Sequence, residues 1–275
     1  MIEPRTRHDL SNLASLSGQT RVFAIVGDPI AQVKSPFAVT QALNALGRNC
    51  VVVPLHVAQS DFDDFVRGAG LIKNLDGLIA TVPHKFAAYA QCASATNRAH
   101  FLHAVNVLRR NPDGTWHGDM IDGQGFVDAM RLSGVEPSGK RALLVGAGGA
   151  GSAIALALIE VGLSELLIHD IDHARRDQLS MRLKATYGAV VNVGSPDPLG
   201  CALVVNATPI GMSRNDPFPL QIDHLTSDMF VGDVITDPAV TPLIHAARRL
   251  GCRTQIGVEM FDAQLQNIRD FLIGG

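Results

Sequence analysis

The chain carries, at residues 145–151, the stretch Val145-Gly146-Ala147-Gly148-Gly149-Ala150-Gly151, which decides its fold class. Residues 141–145 form an apolar run typical of a buried parallel strand, and the alanine-rich residues 152–161 predict a helix. In this context the glycines match G-x-G-x-x-G, a pattern that allows a tight turn, close approach of a pyrophosphate and close helix–strand packing. We therefore predict a dinucleotide-binding turn. The alternative is a helix–sheet crossing that merely needs small residues.

An acidic residue stands where such a turn requires one. Residues 165–170 predict the second strand of the unit, and Asp170 ends it. A carboxylate about 20 residues past the glycines can accept hydrogen bonds from the adenosine ribose, and its charge repels a 2′-phosphate. We therefore expect NAD to be preferred over NADP. Alternatively, Asp170 caps the strand end without binding a ligand, and Asp172 could be the N-cap of the next helix.

Composition narrows the class of protein. The chain has 275 residues, 47% of them apolar, and a formal net charge of −3. No basic stripe points to nucleic acid, and no apolar run reaches membrane-spanning length. Residues 1–20 are unlike a secretory signal, and residues 7–16 either form a short helix or are partly disordered. We expect a cytoplasmic protein without metal, because no C-x-x-C pair occurs among the four cysteines, Cys50, Cys92, Cys201 and Cys252.

Predicted strands and helices alternate along nearly the whole chain, which indicates α/β architecture. The turn Asn111-Pro112-Asp113-Gly114 predicts a hairpin between residues 104–110 and 115–118. We predict two α/β halves with a cleft between them, the second of Rossmann type. Further strands are predicted at residues 21–26, 51–57, 77–82, 143–145, 166–168, 202–206 and 230–235.

Short motifs follow one another from about residue 21 to the C-terminus. They lie at residues 27–36, 80–85, 104–106, 118–123, 146–151, 206–212, 241–243 and 257–264. In residue type and order they resemble the shikimate dehydrogenase family. The resemblance implies a substrate-binding domain over residues 1–122, completed by a C-terminal helix at 258–275, and an NAD-binding Rossmann domain over 123–257. It also implies reversible oxidation of a ring hydroxyl in a cyclohexene carboxylic acid.

Two side chains are candidates for the proton transfer that this chemistry needs. Oxidation of a secondary alcohol by a nicotinamide also releases the hydroxyl proton, so a proton shuttle must lie within hydrogen-bond reach. Lys85 follows a predicted strand end, and Asp122 lies at another such turn. The resemblance assigns the catalytic role to this pair. The alternative is a surface lysine and a helix-capping aspartate.

The resemblance also implies a binding site for a hydroxy acid. Ser35 would bind the substrate carboxylate at a helix N-terminus, where it is also a good N-cap. Thr81, Asn106 and Gln264 would contact ring hydroxyls, although each could be a satisfied polar group of a turn or helix. On the cofactor side the resemblance adds three residues: Asn206, Thr208 and Gly257.

Three substrate positions depart from the family pattern. Val33 replaces a serine, Ile79 an asparagine and Thr236 a tyrosine, and each change removes or shortens a polar contact. Asp170-Ile171-Asp172 likewise replaces the asparagine–arginine–threonine run of NADP-dependent members. We therefore expect a paralogue, monomeric or homodimeric, with a modified or relaxed substrate preference, which acts on shikimate, quinate or a close hydroxylated ring carboxylate. A dehydrogenase for a less polar hydroxy compound and a non-catalytic NAD-binding regulatory protein stay open.

Overall fold

The computed structural model describes residues 16–33 and 35–274, which contain two six-stranded sheets. The helix expected over residues 7–16 lies outside the described residues except for its last position. No helix within the described ranges is both long and apolar enough to cross a bilayer.

The first sheet is mixed. Its strands, in chain order, are β1 (Arg21–Gly27), β2 (Cys50–His56), β3 (Leu75–Ala80), β4 (Ser94–Ala95), β5 (Val107–Arg110) and β6 (Trp116–Asp119). Across the sheet they lie in the order β2-β1-β3-β5-β6-β4. β1, β2 and β3 run parallel, and β5 runs antiparallel to both β3 and β6. The predicted hairpin is confirmed, because β5 and β6 pair across a turn in which Asn111 N donates to Thr115 O at 2.8 Å. Four helices accompany the sheet: α1 (Ser35–Asn44), α2 (Phe62–Ala69), α3 (Lys85–Ala90) and α4 (Asn97–Leu102).

The second sheet is parallel throughout. Its strands, in chain order, are β7 (Arg141–Val145), β8 (Glu165–His169), β9 (Val191–Val193), β10 (Leu203–Asn206), β11 (Phe230–Asp233) and β12 (Arg253–Gln255). Across the sheet they lie in the order β12-β11-β10-β7-β8-β9. This is the doubly wound order, in which the strand sequence reverses between β7 and β10 and ligands bind beyond the carboxyl ends of those strands. The predicted Rossmann-type architecture is confirmed.

Helices join the two sheets. α5 (Asp122–Leu132) contacts both α6 (Gly149–Glu160) and α9 (Gly257–Ile273), and α9 packs back onto α1 and β5. Apolar side chains from both sheets share one buried cluster, which includes Ala24 of β1 and Leu144 of β7. The remaining helices are α7 (His173–Tyr187) and α8 (Pro242–Arg249).

The glycine turn has the backbone that its sequence requires. Gly146 has φ +106°, which side-chain-bearing residues rarely adopt. A Cβ at Gly151 would lie 1.9 Å from Gly146 O, so α6 could not approach β7 this closely with any larger residue. The turn therefore brings the amino end of α6 to the carboxyl end of β7.

Candidate active site

The carboxyl ends of two strands of the first sheet bring Lys85 and Asp122 together. β3 ends at Ala80 and the chain turns into α3, whose first residue is Lys85; β6 ends at Asp119, and α5 begins at Asp122. Lys85 Nζ donates a hydrogen bond to Asp122 Oδ2, forming an ion pair whose side chains are only 12% and 5% exposed. Two residues far apart in sequence thus form one shielded acid–base pair.

Asn106 fixes the second oxygen of the carboxylate. Its Nδ2 donates to Asp122 Oδ1 at 2.8 Å, and its Oδ1 accepts from the backbone N–H of Ile121, also at 2.8 Å. The amide orientation is thereby set by donors and acceptors on both sides. An amide nitrogen carries two N–H groups, so the second is the one that a substrate hydroxyl could use.

His84 supports the turn that leads to Lys85. Its ring is fully buried, stacks on Phe62 with 4.4 Å between ring centroids, and bonds through Nε2 to the carbonyl of Val57 at 2.9 Å. Because a carbonyl only accepts, Nε2 carries a proton and donates it to this bond. Burial lowers the pKa of His84.

The Lys85 side chain reaches the second sheet. Its aliphatic carbons lie against Gly149, the first residue of α6, so close that a Cβ at Gly149 would be 2.8 Å from Lys85 Cδ. The ion pair therefore lies beside the glycine turn, in the cleft between the two halves.

The residues predicted to contact the substrate differ in how the structure holds their polar groups. Ser35 is the first residue of α1, so it is helical and not the N-cap that its sequence suggested. Thr81 follows β3 directly. The side-chain hydroxyls of Ser35 and Thr81 make no hydrogen bond to another described residue. Gln264 of α9 is 6% exposed, and its Oε1 has no partner within the described residues. An unpaired buried acceptor costs about 1–3 kcal/mol, which a ligand hydroxyl would offset.

Two of the three altered positions lie in one apolar cluster, and the third lies apart from it. Val33 is partly buried and packs into an apolar cluster that contains Ile79 of β3, which is 8% exposed. Phe261 and Leu265 of α9 join the same cluster. Thr236 is half-buried just after β11. The side chains at Val33 and Ile79 therefore serve packing and offer no hydrogen bond.

On the cofactor side, Asn206 and Thr208 hold a turn. Asn206 donates to Ile210 O and Asp233 Oδ2 and accepts from Thr208 Oγ1 at 2.7 Å. This turn packs against Gly146, because a Cβ there would lie 2.8 Å from Ala207 O. Desolvation by burial raises the pKa of Asp233, although three groups donate hydrogen bonds to its carboxylate.

The amino end of α6 suits a pyrophosphate. The first N–H groups of a helix have no intrahelical acceptor and favour an anion. Gly148 is the N-cap, and a Cβ there would have nothing within 4 Å, so the space above the turn is open. Gly257, the remaining predicted cofactor residue, instead lies against the backbone of Val234 and Ile235. A Cβ built on Gly257 would lie 2.4 Å from Ile235 O.

Asp170 is bound by the protein itself. Its Oδ2 accepts from Ala147 N at 2.7 Å and its Oδ1 from Asp172 N at 2.8 Å. Arg175 Nη1 lies 3.9 Å from Asp170 Oδ2. Asp172 is the N-cap of α7, as the alternative interpretation predicted, and accepts from Arg175 N at 3.1 Å.

A separate cavity of about 1130 Å³ lies on the second half, between residues 211–223 and α8. None of the residues predicted for the site line it. Its lining includes Arg214, His245 and Arg249. The Lys85–Asp122 ion pair and the glycine turn both lie outside this cavity.

Comparison with known proteins identifies the family. Residues 25–108 match the model of the shikimate dehydrogenase substrate binding domain. A shikimate dehydrogenase (NADP(+)) of Rubrobacter xylanophilus is 37% identical over 241 residues, which cover 86% of this chain and 84% of the relative. The chain belongs to the shikimate dehydrogenase family. It is an NAD(P)-dependent oxidoreductase of CH–OH groups, as the resemblance implied.

Other members of the family cover most of the chain as well. A shikimate dehydrogenase (NADP(+)) of Acidiphilium cryptum is 35% identical, covering 89% of this chain and 87% of the relative. The Thermus thermophilus shikimate 5-dehydrogenase, solved with NADP(H) and shikimate, superposes with a TM-score of 0.81 at 26% identity over 93% and 94% of the two chains. The Corynebacterium glutamicum quinate dehydrogenase, solved with NAD, gives 0.79 at 27% identity over 93% and 94%.

The expected preference for NAD over NADP is wrong by this comparison. The curated relatives, including those from Rubrobacter and Acidiphilium, carry NADP(+) in their names. The structure supplies a physical reason. The Asp170 carboxylate is bound to two backbone N–H groups with Arg175 nearby, so it is not the exposed, uncompensated charge that the argument from sequence assumed.

Proposed function

We propose that the chain catalyses reversible hydride transfer between a nicotinamide dinucleotide and a ring hydroxyl of shikimate or a related cyclic hydroxy acid. The observation that carries the proposal is the Lys85–Asp122 ion pair beside the glycine turn. A structural ion pair has no need to lie at a dinucleotide-binding turn, whereas a proton shuttle must. The names of the relatives support an oxidoreductase that acts on shikimate.

In this proposal side chains of the protein accept the hydroxyl proton and return it. The substrate hydroxyl lies between Lys85 Nζ and the Asp122 carboxylate, which retains lone pairs beyond those used by Lys85 and Asn106. During oxidation the pair takes up the hydroxyl proton, and during reduction it returns the proton to the carbonyl oxygen. A nicotinamide dinucleotide held at the glycine turn would supply the hydride chemistry that this proton transfer accompanies.

The remaining polar groups orient the ring. Ser35 at the amino end of α1 is placed to bind the carboxylate, with the helix dipole in support. Thr81 and Gln264 offer a hydroxyl and an unpaired amide oxygen to ring hydroxyls. The glycines of residues 146–151 and the amino end of α6 would hold the pyrophosphate. We propose on this basis that residues 1–122 with 258–275 bind substrate and that residues 123–257 bind the dinucleotide.

Steady-state assays test the proposal directly. Shikimate and quinate would each be offered with NAD and with NADP, with folding checked by circular dichroism and a cooperative thermal transition. We expect turnover of at least one ring acid. Folded protein that turns over neither acid with either nucleotide would contradict the proposal.

The apolar cluster around Val33 and Ile79 favours a second candidate within the same chemistry. Loss of two polar side chains weakens recognition of shikimate, so quinate or a less polar hydroxy compound stays a candidate substrate. A non-catalytic regulatory protein is less well supported, because a binding module needs no proton shuttle. Nucleotide binding by calorimetry without turnover of any candidate would favour it. A cytoplasmic location and a monomeric or homodimeric state stay predictions.

A further inference from the structure

Gly149 is needed for a reason that the dinucleotide motif does not supply. It is the first residue of α6 and its φ is negative, so its backbone conformation is open to any residue. A Cβ built on it would nevertheless lie 2.8 Å from Lys85 Cδ, 2.9 Å from Lys85 Cβ and 3.3 Å from Lys85 Cγ. The close atoms belong to the root of the lysine side chain, which cannot move aside without shifting α3.

The neighbouring glycine differs. A Cβ on Gly148 would have nothing within 4 Å, so alanine there fits the protein and would occupy only the space above the turn. Of two adjacent glycines, one leaves room for a ligand and the other leaves room for Lys85. The pair therefore provides an internal comparison.

We propose that Gly149 is a positioning residue: its missing side chain lets the Lys85 stem lie flat on the amino end of α6, which holds the ammonium on Asp122. The inference rests on the proposed function for its kinetic consequence. A methyl group at Gly149 pushes the stem away from α6 and the ammonium off the carboxylate. A displacement of about 1 Å at a reacting group can cost about 100-fold in rate.

The test is a double-mutant cycle between Gly149→Ala and Lys85→Gly, since the Lys85 Cβ is itself one of the close atoms. In the natural background we expect Gly149→Ala to lower kcat about 10- to 100-fold. The dissociation constant for the nucleotide is measured in parallel, because Gly149 also belongs to the turn proposed to hold the pyrophosphate, and the loss of kcat should exceed any loss of nucleotide affinity. In the Lys85→Gly background the same change should alter the residual single-turnover rate by less than about twofold.

Gly148→Ala is the matched control. It should weaken nucleotide binding with a smaller effect on kcat, and its effect should be equal in both backgrounds. An equal loss of rate from Gly149→Ala in both backgrounds, or a loss that appears only in nucleotide affinity, would overturn the proposal.

Thermal stability tests the contact without any activity. Gly149→Ala should lower Tm, and Lys85→Gly should restore part of that loss by removing the crowded atoms. A Tm decrease that is equal with and without the Lys85 side chain would overturn the contact itself. If no substrate is turned over by the natural chain, the proposed function fails while this measurement still decides whether Gly149 positions Lys85.

Discussion

Asn106 Nδ2 donates to Asp122 Oδ1 at 2.8 Å while Lys85 Nζ holds the other carboxylate oxygen. The Asn106 side chain is buried, and its own Oδ1 is fixed by the backbone N–H of Ile121. The amide thus sets the plane of the carboxylate that would face a substrate hydroxyl. Sequence comparison suggested that Asn106 binds substrate, and the structure adds that it orients the acid.

Asn106→Ala should lower kcat by about 10- to 100-fold, because a hydrogen bond to a charged group contributes about 1.5–3 kcal/mol. Nucleotide affinity should change little. Steady-state kinetics and calorimetry check the two expectations. Asn192→Ala is a matched control, since Asn192 Nδ2 also donates to a carboxylate, Glu165 Oε1 at 3.0 Å, at the far strands of the second sheet. An unchanged kcat in Asn106→Ala would remove the orienting role.

Lys85→Met should lower kcat by about 100- to 10,000-fold, the usual contribution of a general acid–base group. The substitution keeps most of the apolar stem against Gly149 and removes the ammonium, so the packing of α3 is retained. Stopped-flow and steady-state rates measure the effect, and fluorescence titration measures nucleotide binding. Lys140→Met, outside the cleft, serves as the control. A variant with the natural rate would show that Lys85 takes no part in proton transfer.

Asp170→Asn should destabilise the glycine turn, because asparagine offers one amide oxygen in place of two carboxylate oxygens, so one of the two backbone N–H groups loses its acceptor. We expect a loss of about 1–3 kcal/mol in the free energy of unfolding, measured by urea denaturation. Affinities for NAD and NADP should fall by similar factors. Asp172→Asn is the control, since asparagine caps helices about as well as aspartate. Stronger NADP binding together with weaker NAD binding would show instead that Asp170 discriminates between the nucleotides.

His84 should make stability fall in mild acid. Burial lowers its pKa in the folded protein, below the ordinary value of about 6.5 in the unfolded chain. At high pH both states are neutral; as the pH falls through about 6.5, only the unfolded state binds the proton, so the folded state loses relative stability until the folded pKa is reached. The difference in unfolding free energy between the natural chain and His84→Gln should therefore shrink from pH 7.5 to pH 5. A difference independent of pH over that range would contradict the assignment.

Val33→Ser tests the substrate end of the cleft. If Ser35 binds a ring carboxylate, a second hydroxyl at Val33 should lower the KM for shikimate by about tenfold, the lower end of a charged hydrogen bond. Ile30→Ser, in the same apolar cluster, controls for lost packing. A KM that does not improve would place the carboxylate elsewhere, which would favour a substrate without one.

The parts of the fold that local patterns specify could be predicted. The glycine turn needs specific backbone angles at Gly146, and the hairpin needs a turn at residues 111–114. Both features are therefore determined by residues that are adjacent in the sequence. β9 and β12 were not predicted, because three-residue strands with mixed polarity carry no usable periodicity. α4 was missed for a similar reason, since it has only six residues.

For the candidate site, the sequence singled out two residues that the structure brings into contact, but the hydrogen bonds around them could not be predicted. Lys85 and Asp122 each stand at a strand end, where site residues gather, and the structure brings them into contact. The partners of Asp170 could not be foreseen, because a ribose hydroxyl and the backbone N–H of Ala147 are both suitable donors to a carboxylate, and only the folded turn selects between them. The contact between Lys85 and Gly149 joins the first residues of two helices, α3 and α6, that are far apart in the chain, and no local pattern encodes such a contact.

The return of α9 onto α1 and β5 sets an order of assembly. Ile268 and Leu272 complete the apolar cluster beneath β1 and β3, although they belong to the final helix. Domains generally fold as units during synthesis, beginning with the N-terminal one. Here the strands of the first sheet cannot complete the burial of this apolar face until α9 has been translated, and α9 follows every strand of the second sheet in the chain.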